Sequence, residues 1–265
     1  MYFTYNEGGN DIPEGAFKIS PSQLSKFFSD TPQWYREHVL GEDSAFTGNT
    51  SSVLGNCVHG LAEMRYKEGA VDHHKVEEYL STITDPEIDL NYIRQQYGVM
   101  ADCLLDNVVD RLPAGGKAEP FLWYEVIPGY GVGGSLDMLQ LEEIRDYKTT
   151  GAMSPPKSIP RNYWFQQMSY VWLAKKHGYN IKRFVLDYIT HNSVGRISPV
   201  TGKPMKDYPS THTPLVHEVT DTDLEIIDNT LRLVAESVKA FKEKPEISYL
   251  LAQDLRLKKA TKFAH

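Results

Sequence analysis

A chain of 265 residues, 41% hydrophobic and 24% charged, is long enough for one large domain or for a core with a helical elaboration. It has no run of about 18 uncharged apolar residues, and its first residues, Met1 to Gly9, offer neither a basic region nor an apolar signal core, so a soluble, cytoplasmic protein with no membrane partner is expected. The formal charge of −7 excludes a protein that coats nucleic acid non-specifically and confines any polyanion contact to a local basic patch.

In chain order, Ser20-Pro-Ser-Gln23 reads as a helix start with Pro at the first helical position and Gln at the capping-box site, leading into Leu24, Phe27 and Phe28. Thr31-Pro-Gln-Trp-Tyr35 restarts a second helix that ends near Gly41. A helix over about 52–68 carries His59 and Glu63 one turn apart on one face. The stripe Leu90, Ile93, Tyr97, Ala101, Leu104 and Val108 predicts a longer amphipathic helix over 89–112. The two cysteines, Cys57 and Cys103, lie in these helical patterns without Cys-x-x-Cys pairing, and read as buried free thiols rather than cluster or zinc ligands.

Pro113-Ala-Gly-Gly-Lys then marks the passage to strands at 121–127, 130–139 and 142–148. A helix over 160–177, stopped by Gly178, and a strand over 182–190 complete a strand–helix–strand unit. The 191–212 segment is a long polar loop, either mobile or functional. A further strand at 214–220 precedes a helix opened by Thr222-Asp-Leu-Glu225, with Ile227, Leu231, Val234, Val238 and Phe241 in a core stripe. The last ten residues carry four basic side chains and no acid, a solvated tail or a nucleic-acid contact.

The chemistry concentrates in 134–150. If the hairpin turns between Leu141 and Glu142, Asp137 falls opposite Asp146, and alternation puts Lys148 on the same face while Tyr147 points away. The turn lacks the Asn-Gly or Asp-Gly signature that fixes register, so an exposed hairpin with a surface ion pair stays open as the alternative.

Taken together, Gly55-x-x-x-His59, Glu125, Gly134-x-x-Asp137, Asp146-Tyr-Lys148-Thr-Thr and Gln166-x-x-x-Tyr170 resemble the PD-(D/E)XK nuclease superfamily, and in order and spacing its RecB-type branch, which includes CRISPR-associated and phage recombination exonucleases. Ser20-x-Ser-x-Leu24 and Pro32-x-x-Tyr35 extend the resemblance to about residue 190. Leu136 stands where the superfamily's proline would, and the iron–sulfur cysteines of several relatives are missing, so no iron–sulfur cluster is expected.

The resemblance implies an α/β, restriction-endonuclease-like fold: a mixed central sheet flanked by helices, with a helical N-terminal elaboration and a C-terminal helix. It implies a single nuclease domain over 1–265, mainly helical in 1–115, with the catalytic sheet in 116–220 and a helical C-terminal part in 221–265. Asp137, Asp146, the Tyr147 carbonyl and His59 would hold Mg²⁺ or Mn²⁺. Lys148 would orient and stabilise the attacking water. Glu125 would be an outer acid, Gln166 and Tyr170 would position the phosphate or the lysine, and Lys157 and Arg161 would contact the DNA backbone.

The expected function is metal-dependent DNA exonuclease action in recombination, repair or phage DNA metabolism. A flap or junction endonuclease and a catalytically inactive nucleic-acid-binding module are the alternatives. The chain contains no Gly-x-x-x-x-Gly-Lys-Ser/Thr motif, so a helicase partner would supply any ATP-driven unwinding, and a recombinase or annealing protein is the other kind of partner implied.

Overall fold

The computed structural model describes residues 12–42, 48–152, 154–198, 201–244 and 246; the polar leader and the basic C-terminal tail lie outside these residues. The elements, in order, are β1 (Phe17–Ile19), α1 (Leu24–Ser29), α2 (Thr31–His38), α3 (Thr50–Glu68), α4 (His73–Ser81), α5 (Leu90–Asn107), β2 (Lys117–Ala118), β3 (Phe121–Ile127), β4 (Tyr130–Ser135), β5 (Met138–Leu139), β6 (Glu143–Thr150), α6 (Arg161–Lys176), β7 (Arg183–Thr190), β8 (His212–Glu218) and α7 (Asp221–Glu243). No described helix is long and apolar enough to cross a membrane.

Local chemistry sets the helix ends. Asn49 accepts a hydrogen bond from the Ser52 amide at 2.9 Å to open α3, and Asp89 accepts one from the Tyr92 amide at 2.9 Å to open α5. The capping box of α7 is Thr220 with Asp223, two residues before the Thr222–Glu225 pair that the sequence suggests. Both pairs satisfy the same pattern, and the earlier one is used because β8 ends at Glu218 and leaves only Val219 before the cap.

Two sheets form, ordered β1-β4-β3 and β2-β5-β6-β7-β8, where one central sheet was expected. The expected strand 130–139 is therefore divided: β4 belongs to the first sheet and β5 to the second. The pairs Lys117↔Leu139 and Ala118↔Met138 are followed in the same register by Phe121↔Ser135 and Leu122↔Gly134. The two chains are thus one ribbon bent at Glu119-Pro120 and Leu136-Asp137. Pro120 has no amide hydrogen and Glu119 has a left-handed φ of 52°, so the ladder yields at this point.

Helices cover both faces of the five-stranded sheet. Ile144, Phe184, Leu186 and Tyr188 pack in one core with α6 and α7. Tyr147 and Ile189 pack in the other with α3, α4 and α5. Strand β6 runs parallel to β7, with Asp146↔Leu186 and Lys148↔Tyr188 aligned, and α6 makes the crossover. Behind the strand, Arg145 grips fully buried Asp187 through Nε at 2.8 Å and Nη2 at 3.0 Å, and His212 Nε2 lies 2.7 Å from the same carboxylate. Removing one partner leaves a buried charge without compensation. Asp187→Ala is therefore expected to lower unfolding stability by about 3–5 kcal/mol, read by urea denaturation.

Candidate active site

The bent ribbon and β6 bring three carboxyl groups into a row. Constant register through the bend sets Glu119 opposite Asp137, and the Glu119 amide donates to the Asp137 carbonyl at 3.2 Å. The pairs Met138↔Arg145 and Leu139↔Ile144 carry the next register, which sets Asp137 opposite Asp146. Glu119, Asp137 and Asp146 thus occupy neighbouring positions across three chain segments, and directly opposed side chains on paired strands have Cβ atoms about 5 Å apart. The hairpin register expected from the sequence is the one observed.

Each acid has its own surroundings. The Asp137 Oδ2 atom accepts the Tyr147 amide at 2.7 Å and lies 3.5 Å from His59 Nδ1. Burial would raise this carboxyl, but His59, Lys148 and the amide overcome it and hold Asp137 below the usual range. Asp146 is pushed up, chiefly by burial and also by the charge of Asp137, although Lys148 pairs with it. Its Oδ2 meets that ammonium but no hydrogen-bond donor of regular geometry among the described residues. Glu119 is pushed up to about 8, first by burial and then by Asp137, with His59 opposing and Glu63 adding to the shift.

The cations are held in complementary fashion. Burial would lower His59, yet Asp137 turns the shift upward. The His59 ring stands edge-on to Tyr147 at 5.8 Å, so α3 reaches the site from the opposite face of the sheet. Lys148 is likewise raised in spite of burial because Asp146 and Asp137 favour the ammonium. Its Nζ lies 4.9 Å from the centre of the Tyr163 ring, contributed by the first turn of α6. Tyr188, aligned with Lys148 on β7, has a buried hydroxyl without a hydrogen-bond partner among the described residues and is raised to about 12, mainly by burial.

Other expected site residues are spread more widely. Gln166 and Tyr170 share a helical stripe with Tyr163; Gln166 is half-buried, and Tyr170 packs against β4, where a Cβ on Gly134 would stand 3.2 Å from its ring. Lys157 is exposed on the loop after β6, and Arg161 is exposed at the start of α6 with its guanidinium 5.5 Å from the Phe165 ring. Glu125 is not brought to the cluster. It lies near the other end of β3, exposed, and its Oε1 caps the β3–β4 turn by accepting the Gly129 amide at 2.8 Å. Glu119 is the third acid beside Asp137 and Asp146 instead. Sequence periodicity selects an acid inside a strand, whereas Glu119 sits at a bend, and its only local signal is the following proline.

The donor set suits a hard divalent cation. It consists of carboxylate oxygens with one imidazole nearby, and like charges opposed across strands are relieved by a cation between them. The amide and carbonyl of one strand residue point to the same edge, so the Tyr147 carbonyl faces the side on which its amide meets Asp137. Among the described residues, no three His, Cys, Asp or Glu side chains close into a ready-made cage. A cation here would be completed by backbone and water oxygens.

The family model for the PD-(D/E)XK nuclease superfamily matches residues 18–249. The chain belongs to that superfamily, and the protein is a nuclease with mixed sheets between helices, as that fold requires. A candidate exonuclease from Eubacterium rectale has a similar fold, with a TM-score of 0.56 and 14% identity over 91% of this chain and 86% of that one. An alkaline exonuclease from Laribacter hongkongensis (TM-score 0.38, 11% identity, 91% and 94% covered) and a phage-related exonuclease from Haemophilus somnus 129PT (TM-score 0.40, 11% identity, 86% and 96% covered) are more distant. No curated protein matches the chain.

The raised Glu119 carboxyl gives a signed pH effect. Because the folded protein binds this proton more tightly than the unfolded chain, the contribution to stability is full below about 4.5 and is lost as pH rises through about 8. In chelator, the melting temperature of the wild-type protein is expected to fall across that window more steeply than that of Glu119→Gln, which has no proton to lose. Equal slopes would contradict the assignment.

Proposed function

We propose that this nuclease is a divalent-metal-dependent exonuclease that hydrolyses phosphodiester bonds at DNA ends, in recombination, repair or phage DNA metabolism. The observation that carries the reading is the row of Glu119, Asp137 and Asp146, with His59 and Lys148 on its flanks. Asp137, Asp146 and the Tyr147 carbonyl would hold Mg²⁺ or Mn²⁺, with His59 and Glu119 as the nearest further donors. When bound, such an ion supplies positive charge to the phosphate oxygens and an activated water near neutral pH.

The chain's own residues do the rest. Lys148 stays an ammonium, so it acts as a donor that orients the attacking water and stabilises charge developing on oxygen. Asp146 keeps that ammonium aimed along the strand edge. Gln166 and Tyr170 line the α6 stripe that continues from Tyr163, and act in positioning the phosphate or Lys148. Lys157 and Arg161 give sequence-independent contacts to the phosphate backbone as it leaves the site.

Labelled linear and closed-circular DNA, incubated with purified protein in Mg²⁺ or Mn²⁺, tests the reading. Linear DNA is expected to be degraded and circles spared, with Asp146→Ala and Lys148→Ala each slowing the reaction about 10²-fold or more. Cleaved circles would turn the assignment to an endonuclease, and no cleavage in either metal, or unimpaired variants, would overturn it. Calorimetry gives a readout independent of turnover: Mn²⁺ is expected to bind the wild-type protein and to lose measurable binding in Asp137→Ala.

A further inference from the structure

The carboxyl ends of parallel strands β6 and β7 carry two excursions, the loop to α6 that holds Lys157 and the segment between β7 and β8. The second excursion is built as an arm. Residues 193–198 run out and 201–208 run back, joined by hydrogen bonds from the Ser198 amide to the Lys203 carbonyl at 2.9 Å and from the Met205 amide to the Arg196 carbonyl at 2.8 Å. The Gly195 amide also donates to Asp207 Oδ1 at 3.0 Å, and the Tyr208 amide to Ser193 Oγ at 3.0 Å.

The root of the arm is fixed on two sides. Fully buried Gln96 of α5 donates through Nε2 to the Asn192 carbonyl at 3.0 Å and accepts the Asn192 amide through Oε1 at 2.8 Å. The Tyr92 hydroxyl meets His191, and the Arg196 guanidinium lies 4.6 Å from the centre of the Tyr92 ring. On the sheet side, the His191 amide donates to the Thr150 carbonyl at 3.0 Å, two residues beyond Lys148. The arm therefore starts at the same strand ends as the active site and has a defined direction. In open sheets with parallel strands, ligands gather at the carboxyl ends.

Charge identifies the occupant. In a chain of net charge −7, the described part of the arm holds Arg196, Lys203 and Lys206 against one acid, Asp207, whose carboxylate serves the Gly195 amide. Among the described residues no carboxylate stands within ion-pairing distance of these three cations. Several cations elsewhere are paired, as in Arg65–Asp110 at 2.8 Å, Arg94–Glu77 at 2.8 Å and Lys182–Glu142 at 2.5 Å. Lys203 and Lys206 are exposed, and an arm of net positive charge whose cations lack carboxylate partners, rooted at these strand ends, favours a polyanion.

We infer that this arm is a second nucleic-acid contact, in which Arg196, Lys203 and Lys206 hold backbone phosphates of the strand that Lys157 and Arg161 meet closer to the site. The inference rests on the nuclease reading and adds to it the surface that grips the substrate. Val194, Ile197 and Met205 are exposed on the same arm and are the features a protein partner would use instead.

Fluorescence anisotropy with an end-labelled DNA duplex in chelator, over salt from about 50 to 200 mM, tests it. The variant Lys203→Gln/Lys206→Gln is expected to bind about tenfold more weakly at low salt, with a plot of log affinity against log salt shallower by about 2, near one per lysine removed. Lys239→Gln on α7 should leave both quantities at the wild-type value. Wild-type binding with an unchanged slope in the double variant overturns the inference alone. Unchanged DNA binding with an altered sedimentation coefficient assigns the arm to protein contact and overturns it too. A wild-type protein that neither binds nor cleaves DNA removes the nuclease reading and the inference with it.

Discussion

Like charges opposed on neighbouring strands are the constraint around which this molecule is arranged. Glu119, Asp137 and Asp146 stand in a row where direct opposition is unfavourable. The surrounding groups offset that repulsion one acid at a time. Asp137 has the Tyr147 amide and His59, Asp146 has Lys148, and Glu119 takes up a proton far above the ordinary carboxylate range. Helices on both faces of the sheet are needed for this, because His59 comes from α3 on one face and Tyr163 covers Lys148 from α6 on the other. The strained left-handed backbone at Glu119 is of the kind that persists where packing over-determines a site, at a cost of order 1 kcal/mol.

Strand alternation does a second task in β6. Its even-numbered residues, Ile144, Asp146 and Lys148, face α6, and the odd-numbered Arg145 and Tyr147 face the opposite way. Arg145 uses that second face to bind Asp187 on β7, which also meets His212 on β8. One strand thus carries the Asp146–Lys148 pair on one side and a buried ionic anchor on the other. The anchor crosses β6, β7 and β8 and ties the strand that carries Asp146 and Lys148 to the rest of the sheet.

Much of this was legible in the sequence, and the failures have physical causes. The strand over 121–127, the helices around 52–68 and 160–177, and the opposition of Asp137 to Asp146 follow from period, caps and turn residues. The bend in the ribbon was not legible. Residues 130–139 read as continuous strand because aromatic, β-branched and aliphatic residues recur along them, and the break depends on partner residues 119–120, distant in sequence. That one omission explains why Glu125, inside a strand, was singled out and Glu119, which the bend sets beside Asp137, was not. Tyr163 was missed because an aromatic in a helix gives no local sign that its ring will face a lysine on another strand. The short strands β1 and β2 carry too few residues for a period to be read.

The brevity of β5 has a consequence beyond chemistry. Its two residues pair only as far as Arg145, so beyond that point β6 has no strand partner on the side of the cluster. Unpaired strand borders invite pairing with another extended chain and hence aggregation. Here the hazard is answered by the residues that form the site: Asp137 occupies the Tyr147 amide, and His59, Asp146 and Lys148 crowd the approach with charge. A foreign strand would have to break the Asp137–Tyr147 hydrogen bond and displace these polar groups before it could add to the sheet. The same charges that are proposed to meet a phosphate also keep the border from acting as a template.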